Sequence, residues 1–297
     1  MPTDPLLLPF RITGVFLYKF TTDLAGGDVD TLLAKYRYYL QPTLINGLGI
    51  PAPFIRTGDA YRMDGSYFSG LNIASRTVVL TIPVIGDIQA KRAEIYNMFS
   101  QDPSIPQDTY YNLYLELDTG FTLVLHKVIL DTMTDNIDKP RGQLLSISFF
   151  SADPWWYSVR MKSDIQSVAY AGPPNTPLTM TYNIQCLGTG LAYPTIIITG
   201  QSYLFTIENE DTEQVIGPIY QSGVPGEVIT IVTSPAETRG IFSNMRTPSN
   251  IINDVFSGNL DFYLDPGFPH NHITLGGVVT AGTVTVELQW YESYIGV

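Results

Sequence analysis

The chain has 297 residues and a formal net charge of −12, and charged residues make up only 15% of it. This length suits two ordinary domains. The acidic balance and the absence of a basic cluster argue against nucleic-acid binding, because phosphates would be repelled. The 19 tyrosines and the shortage of charge favour a surface covered by neighbouring subunits over a monomeric β protein.

The first residues predict neither an export signal nor a membrane span. The apolar run Leu6-Leu7-Leu8 stops at Pro9, which is too short for a signal-peptide core or a membrane span. The single Cys186 cannot form an internal disulfide. We therefore expect synthesis in a reducing cytoplasm and no membrane insertion.

The first part of the chain reads mainly as β-strands. Segments rich in β-branched and aromatic residues predict strands over 10–20, 34–40 and 76–84. Between them, the Pro- and Gly-rich residues 40–64 predict an ordered loop or a wide hairpin.

One segment has helical periodicity. Asp87 is a candidate N-cap, and apolar residues that include Ile95 and Phe99 share one face of a helix ending near Gln101, before Pro103. The sequence thus predicts a single amphipathic helix that packs on a sheet or across a barrel mouth.

A hairpin is predicted next. Leucines alternate with polar residues over 113–117, the chain turns at 118–120, and apolar alternation returns over 121–125. A solitary hairpin buries little on its own. We expect it to lie on the barrel or on a neighbouring subunit, with Tyr110 and Tyr111 at its start as candidate interface or structural residues.

The alternating strand of residues 145–150 runs into Asp153-Pro154, and Trp155 and Trp156 follow directly. Pro154 cannot donate a backbone hydrogen bond and ends the strand. Two adjacent indoles are costly to leave in water. These four residues are predicted to seal the end of a first domain as interface or structural groups.

Composition changes beyond this block. Residues 1–160 hold 13 basic and 16 acidic residues (net −3), whereas residues 161–297 hold 3 and 12 (net −9). Residues 158–174 read as a connection. Seven short strands with turn signals between them then predict an antiparallel sandwich. They are residues 179–184, 195–199, 204–207, 228–232, 260–264, 273–275 and 283–291.

The sequence predicts no catalytic, cofactor or metal site. His126 reads as an outward or interface histidine. His270 and His272 read as a turn pair, because no acidic residue or cysteine follows closely enough to complete a metal site. Asp261 and Asp265 suit a turn, and the less favoured alternatives are a calcium site or the carboxylate pair of a glycoside hydrolase.

Three aromatic residues near the end of the chain leave two interpretations open. Trp290, Tyr291 and Tyr294 are speculative ligand-facing residues that suit a sugar-stacking platform. We favour packing, in which alternation buries one of Trp290 and Tyr291 and exposes the other, while Tyr294 covers an edge.

Taken in chain order, these features resemble the distal tail protein family of long-tailed bacteriophages, and the likeness covers essentially the whole chain. The strongest motif is the Asp-Pro-aromatic block. The matching stretches are Phe10-Arg11-Ile12, the helix with Lys91-Arg92, the hairpin turn Asp118-Thr119-Gly120, residues 148–157, Leu264-Asp265-Pro266-Gly267 and residues 290–294.

The resemblance implies a mainly-β protein in which residues 1–160 form a β-barrel-like belt domain and residues 161–297 a galectin-like sandwich. It implies a homo-hexameric baseplate ring at the distal end of the virion tail. Its implied partners are the tail-tube protein, the tail-tip hub or tail-associated lysin, and receptor-binding or fibre proteins, while genomic DNA passes through the channel without specific binding. It implies no enzyme and no cofactor. The alternative is a carbohydrate- or receptor-binding module acting through the sandwich.

Overall fold

The fold is mainly β, which confirms the predicted fold class, and the chain divides into two compact units. Unit 1 comprises Met1–Val159 and Tyr294–Val297, and unit 2 comprises Arg160–Ser293. Residues 294–297 thus group with unit 1, whereas the sequence assigned them to the second domain. This computed structural model describes residues 12–20, 37–40, 42, 44–51, 53–59, 66–84, 89–90, 93, 110–117, 121–139, 142–169, 176–219, 226–234, 239–246, 249–252 and 260–296.

The strands of unit 1 pair antiparallel. They are β1 (Ile12–Phe20), β2 (Arg37–Leu40), β3 (Leu44–Asn46), β4 (Pro53–Asp59), β5 (Ser66–Ile73), β6 (Arg76–Val84), β7 (Tyr110–Leu117), β8 (Thr122–Lys139), β9 (Gly142–Ser151) and β10 (Trp156–Ser158). Strands β4 and β5 form a hairpin of their own within and just beyond the segment predicted as a loop or wide hairpin.

The predicted helix is described only in part. Gln89, Ala90 and Ala93 are helical, whereas Ile95 and Phe99 lie outside the described residues. The turn of the predicted hairpin also lies outside them, although the Leu117 N–H donates to the Phe121 carbonyl across it at 2.9 Å. No helix among the described residues is long and apolar enough to cross a membrane.

Strand β8 belongs to two sheets of unit 1. Its first part pairs with β7 and with β10, which gives sheet I the order β2-β1-β7-β8-β10. Residues 129–139 pair with β9 and start sheet II, of order β8-β9-β6-β3. Lys127 lies shortly before this change of partner, at an irregularity of the β7–β8 ladder, and has a φ of 51°. The Lys127 N–H donates to Asn112 Oδ1 at 3.1 Å, so a side chain supports this left-handed residue at an irregularity of the ladder.

Alternating residues of these strands fill a single core in unit 1. In β6, for example, every second residue from Val78 to Val84 is buried, while the residues between them are more exposed. The core residues are Val78, Leu80, Ile82, Val84, Tyr111, Leu113, Leu115, Leu117, Leu123, Leu125, Val128, Leu145, Ile147, Phe149, Trp156 and Tyr294.

Unit 2 is also antiparallel. Its strands are β11 (Lys162–Ala169), β12 (Thr176–Ile184), β13 (Thr195–Asn209), β14 (Gln214–Ile219), β15 (Val228–Val232), β16 (Gly240–Ser243) and β17 (Asn271–Trp290), and β18 (Ser293–Tyr294) leads back to unit 1. Strand β11 occupies the predicted connection, so that prediction was wrong. Residues 260–264 form only an isolated bridge, from Leu264 to Ala192, because a short apolar run does not by itself specify a paired strand.

Strands β13 and β17 are long, and in each the alternation of buried and exposed residues shifts by one position midway. Among the described side chains, the buried apolar residues of β13 are Ile196 and Ile198 in its first half, and Phe205 and Ile207 in its second. This change from even to odd numbers coincides with irregularities between residues 199 and 206. Gly200 lies there with a φ of 120°, and a Cβ atom on it would lie 2.4 Å from the Thr283 carbonyl oxygen. The bulge turns the second half over so that both halves face one core.

Candidate functional site

A buried arginine joins three distant segments of unit 1. The Arg76 Nε donates to the Pro154 carbonyl at 2.6 Å, and its Nη1 donates to the carbonyls of Gly47 (2.7 Å) and Gly49 (2.8 Å). Its Nη2 donates to the carbonyl of Ile295. One side chain therefore satisfies backbone acceptors from the β3–β4 loop, the β9–β10 connection and the segment that follows unit 2. We call this arrangement the Arg76 clamp.

Among the described residues, no carboxylate is bonded to the Arg76 guanidinium. The residue is 2% exposed, and its carbon Cζ lies 5.8 Å from the centre of the Trp156 ring, which suits a cation–π contact. Burial lowers the pKa of Arg76 to about 10, and the nearby charge of Asp153 acts in the opposite direction. The clamp is therefore a structural centre.

The predicted Asp-Pro-aromatic block shapes the chain beside this clamp. The Asp153 carboxylate accepts the Trp155 N–H at 3.2 Å and the Tyr157 hydroxyl at 2.8 Å. Burial raises the pKa of Asp153, and these hydrogen bonds oppose the rise. Pro154 contributes its carbonyl to Arg76. Trp156 is fully buried, whereas Trp155 is half-buried, so Trp156 acts in the core rather than at a surface.

His126 lies on β8 next to the block. Its ring is 5.5 Å from that of Tyr157. Burial, followed by the charge of Lys127, lowers the pKa of His126 to about 4. The imidazole is therefore neutral in the folded protein at neutral pH.

We predict that His126 makes the protein acid-sensitive. Since its folded pKa lies below its ordinary value of 6.5, the unfolded chain binds an extra proton between these two values, and stability falls as the pH drops through that window. Between about pH 7 and about pH 4.5 we expect wild type to lose about 2 kcal/mol more than His126→Gln. Urea unfolding at both pH values measures this difference, and equal losses would contradict it.

Of the two tyrosines predicted as interface or structural residues, the structure describes the side chain of Tyr111 but not that of Tyr110. Tyr111 is 4% exposed and packs edge-on against Phe149, with ring centres 6.4 Å apart. Tyr110 begins β7, and its side chain lies outside the description. Tyr111 is thus a core residue of unit 1.

The outward face of sheet II carries almost no charge. Asp131 is its only acid among the described side chains, and it accepts the Ser148 hydroxyl at 3.3 Å. Three apolar residues on this face are well exposed: Leu44 (53%), Ile129 (41%) and Leu144 (43%). The outward residues, by register, are Leu44, Asn46, Thr77, Val79, Thr81, Pro83, Ile129, Thr132, Thr134, Leu144, Ser146, Ser148 and Phe150.

A buried carboxylate organises one end of unit 2. Glu292 is 1% exposed; its Oε1 binds Lys162 Nζ at 2.5 Å, and its Oε2 accepts the N–H groups of Leu187 (2.8 Å) and Gly188 (2.6 Å). The Cys186 thiol donates to the same oxygen at 3.2 Å. Burial, together with Glu292, raises the pKa of Cys186 to about 12, so this thiol is unreactive near neutral pH.

The three aromatics considered for sugar binding are placed differently. Trp290 is 6% exposed and Tyr294 3%, whereas Tyr291 is 42% exposed. Trp290 belongs to the core of unit 2, and Tyr294 packs edge-on against Phe121 in unit 1 at 5.8 Å. Of the three rings, only Tyr291 is available to a ligand.

The remaining candidates make local structural contacts. His272 Nδ1 lies 2.9 Å from Asp211 Oδ2, and Asp261 bonds Arg239 at 2.9 Å. Asp265 accepts the Gly267 N–H at 2.7 Å in a turn. Across the part of the chain that the structure describes, no group of three or more His, Cys, Asp or Glu side chains is placed to hold a metal ion.

The two antiparallel β units, one with a hydrogen-bonded arginine at its centre, define the class of the protein: a two-unit, mainly-β fold. No family model and no curated protein sequence matches the chain. Among solved structures it shares the fold of the Dit protein of phage SPP1. That match has a TM-score of 0.56 and 11% identity, and it covers 94% of this chain and 98% of that one. The chain thus has a Dit-like fold.

The SPP1 protein is described as a paradigm of the hub of the adsorption apparatus in phages that infect Gram-positive bacteria. Two structures of the phage P2 baseplate in its activated conformation, with Ca and with Sr, also match. Their TM-scores are 0.39 and 0.40, at 9% and 10% identity, and each match covers 93% of this chain and 97% of the other.

Proposed function

We propose that this chain is a structural subunit of the tail baseplate of a long-tailed phage. Six copies form a ring that joins the tail tube to the tail-tip hub or tail-associated lysin and to host-recognition proteins. Genomic DNA passes through the central channel without specific binding. The protein acts as an adaptor and not as an enzyme.

The observation that carries this proposal is the likeness to SPP1 Dit. It extends over 94% of this chain and 98% of that chain, so both units take part rather than one common β domain. Fold alone does not specify function. The surface chemistry of unit 1 is the second support.

That second support is the outward face of sheet II. A chain with a net charge of −12 repels identical copies wherever two acidic surfaces meet. The outward face of sheet II, whose described side chains include a single acid, Asp131, and several exposed apolar residues, is a surface on which such copies meet with little of that repulsion. Exposed apolar residues grouped within a polar surface are typical of protein–protein contacts.

Mass photometry of the purified protein, followed by electron microscopy of the particles, tests the proposal. Six copies of the 33.0 kDa chain give a particle of 198 kDa, and averaged images are expected to show six-fold symmetry around a channel. A single species of 33.0 kDa, both alone and with purified tail tubes, would refute the ring.

A further inference from the structure

We infer that the two open edges of sheet II are the surfaces through which neighbouring copies meet: residues 129–134 on the β8 edge of one copy pack against Leu44–Asn46 on the β3 edge of the next. This inference rests on the proposed ring and specifies its contact. The partner is a second copy of this chain.

The order of sheet II leaves both edges open among the described strands. In the order β8-β9-β6-β3, residues 129–139 of β8 pair only with β9, and β3 pairs only with β6. Unpaired strand edges expose backbone donors and acceptors that readily pair with another chain. Each edge also exposes a large apolar side chain, Ile129 at 41% and Leu44 at 53%.

Charge favours an identical copy as the occupant of these edges. Native proteins commonly protect open edges with lysine or inward-pointing charges. No described side chain of residues 129–134 or of β3 is basic, and Asp131 is the single acid. Asp131 is engaged by the Ser148 hydroxyl at 3.3 Å. Two copies that are strongly acidic elsewhere can therefore approach here without a charged pair in direct opposition.

The two edges differ from each other, and this difference sets the geometry. The β8 edge is long and follows an irregular ladder, whereas β3 has three residues. A contact between unlike surfaces is head-to-tail, and it gives a closed ring when the rotation between copies divides a full turn. A self-complementary contact would instead stop at a dimer.

Two variants, each with one edge blocked, test this arrangement. Ile129→Lys places a charge on the β8 edge, and Leu44→Lys places one on the β3 edge. Both side chains are exposed, so each variant is expected to fold, which circular dichroism and the melting temperature verify. The matched control is Ile165→Lys, the same change at a residue of unit 2 that is 55% exposed. Analytical ultracentrifugation measures the mass of each protein alone and of the mixture.

We expect each edge variant alone to sediment as a 33.0 kDa monomer, and Ile165→Lys to form the same particle as wild type. An equimolar mixture of the two edge variants is expected to give a dimer of 66 kDa, twice the chain mass, because one copy supplies an intact β3 edge and the other an intact β8 edge. Larger species do not form because the outer edges of that dimer are blocked.

A folded edge variant that still forms the wild-type particle, or a mixture that stays monomeric far above the concentration at which wild type assembles, would overturn the inference. In both cases wild type forms its ring and the proposed function stands. A wild type that forms no ring, alone or with tail tubes, would refute the proposed function itself.

Discussion

Replacing Arg76 by methionine is expected to lower the free energy of unfolding of unit 1 by about 3 to 5 kcal/mol, since several buried acceptors lose their donor at a cost of about 1 to 3 kcal/mol each. Methionine fills a similar volume but donates no hydrogen bond. The carbonyls of Gly47, Gly49, Pro154 and Ile295 then lose their donor. Unsatisfied buried acceptors are costly because water cannot replace the lost bonds in a closed site.

Two comparisons make the Arg76 result specific. Arg76→Lys keeps the charge but has a compact ammonium group in place of the forked guanidinium, so it is expected to recover part of the loss and not all of it. Arg160→Met makes the same change at an exposed residue and is expected to alter stability by less than about 0.5 kcal/mol. Chemical unfolding followed by tryptophan fluorescence measures all three. An Arg76→Met protein within about 1 kcal/mol of wild type would show that the clamp does not hold unit 1 together.

The position of Arg76 in the alternation of β6 predicts that this residue is buried. Arg76 is in phase with Val78 and Leu80, the buried residues of β6, so alternation alone places it in the core. Glu292 likewise follows Leu288 and Trp290 at a spacing of two. A charged residue on the apolar phase of a strand therefore indicates a buried polar centre, since a buried charge requires partners.

The partners of these residues were not predictable in the same way. Gly47 and Ile295 lie 29 and 219 positions from Arg76, and no local pattern relates them. Strand alternation reports which face a residue occupies but not which distant segment lies opposite it. The existence of a buried centre was thus open to prediction, whereas its three-segment connectivity required the tertiary structure.

Where the alternation of buried and exposed residues shifts within one strand, the sequence predicts two strands instead of one. Residues 195–199 and 204–207 were predicted as separate strands, as were 273–275 and 283–291, but each pair belongs to one strand, β13 or β17. The bulge near Gly200 shifts the buried phase by one residue, and in the sequence this looks like a break. Two strands without such a bulge, β6 and β15, have the predicted bounds.

Tyr294→Ala is expected to destabilise unit 1 by about 3 kcal/mol or more, as truncations of large buried aromatic residues do. Tyr294 is 3% exposed and belongs to the core of unit 1, although the chain reaches it only after passing through unit 2. For a unit of this size, the change corresponds to a fall of roughly 6 to 12 °C in its melting temperature. Calorimetry that resolves the two units measures the shift.

Tyr291→Ala is the matched control, since it removes the same side chain three residues earlier at a site that is 42% exposed. It is expected to leave the unit 1 transition unchanged. If both variants melt like wild type, Tyr294 contributes nothing to unit 1.

The expected result for Tyr294→Ala would mean that residues 1–159 lack part of their own core until unit 2 and the segment after it have been made. A fragment ending at residue 160 would then be unstable for a reason separate from any missing neighbour, so assembly is best tested with the whole chain.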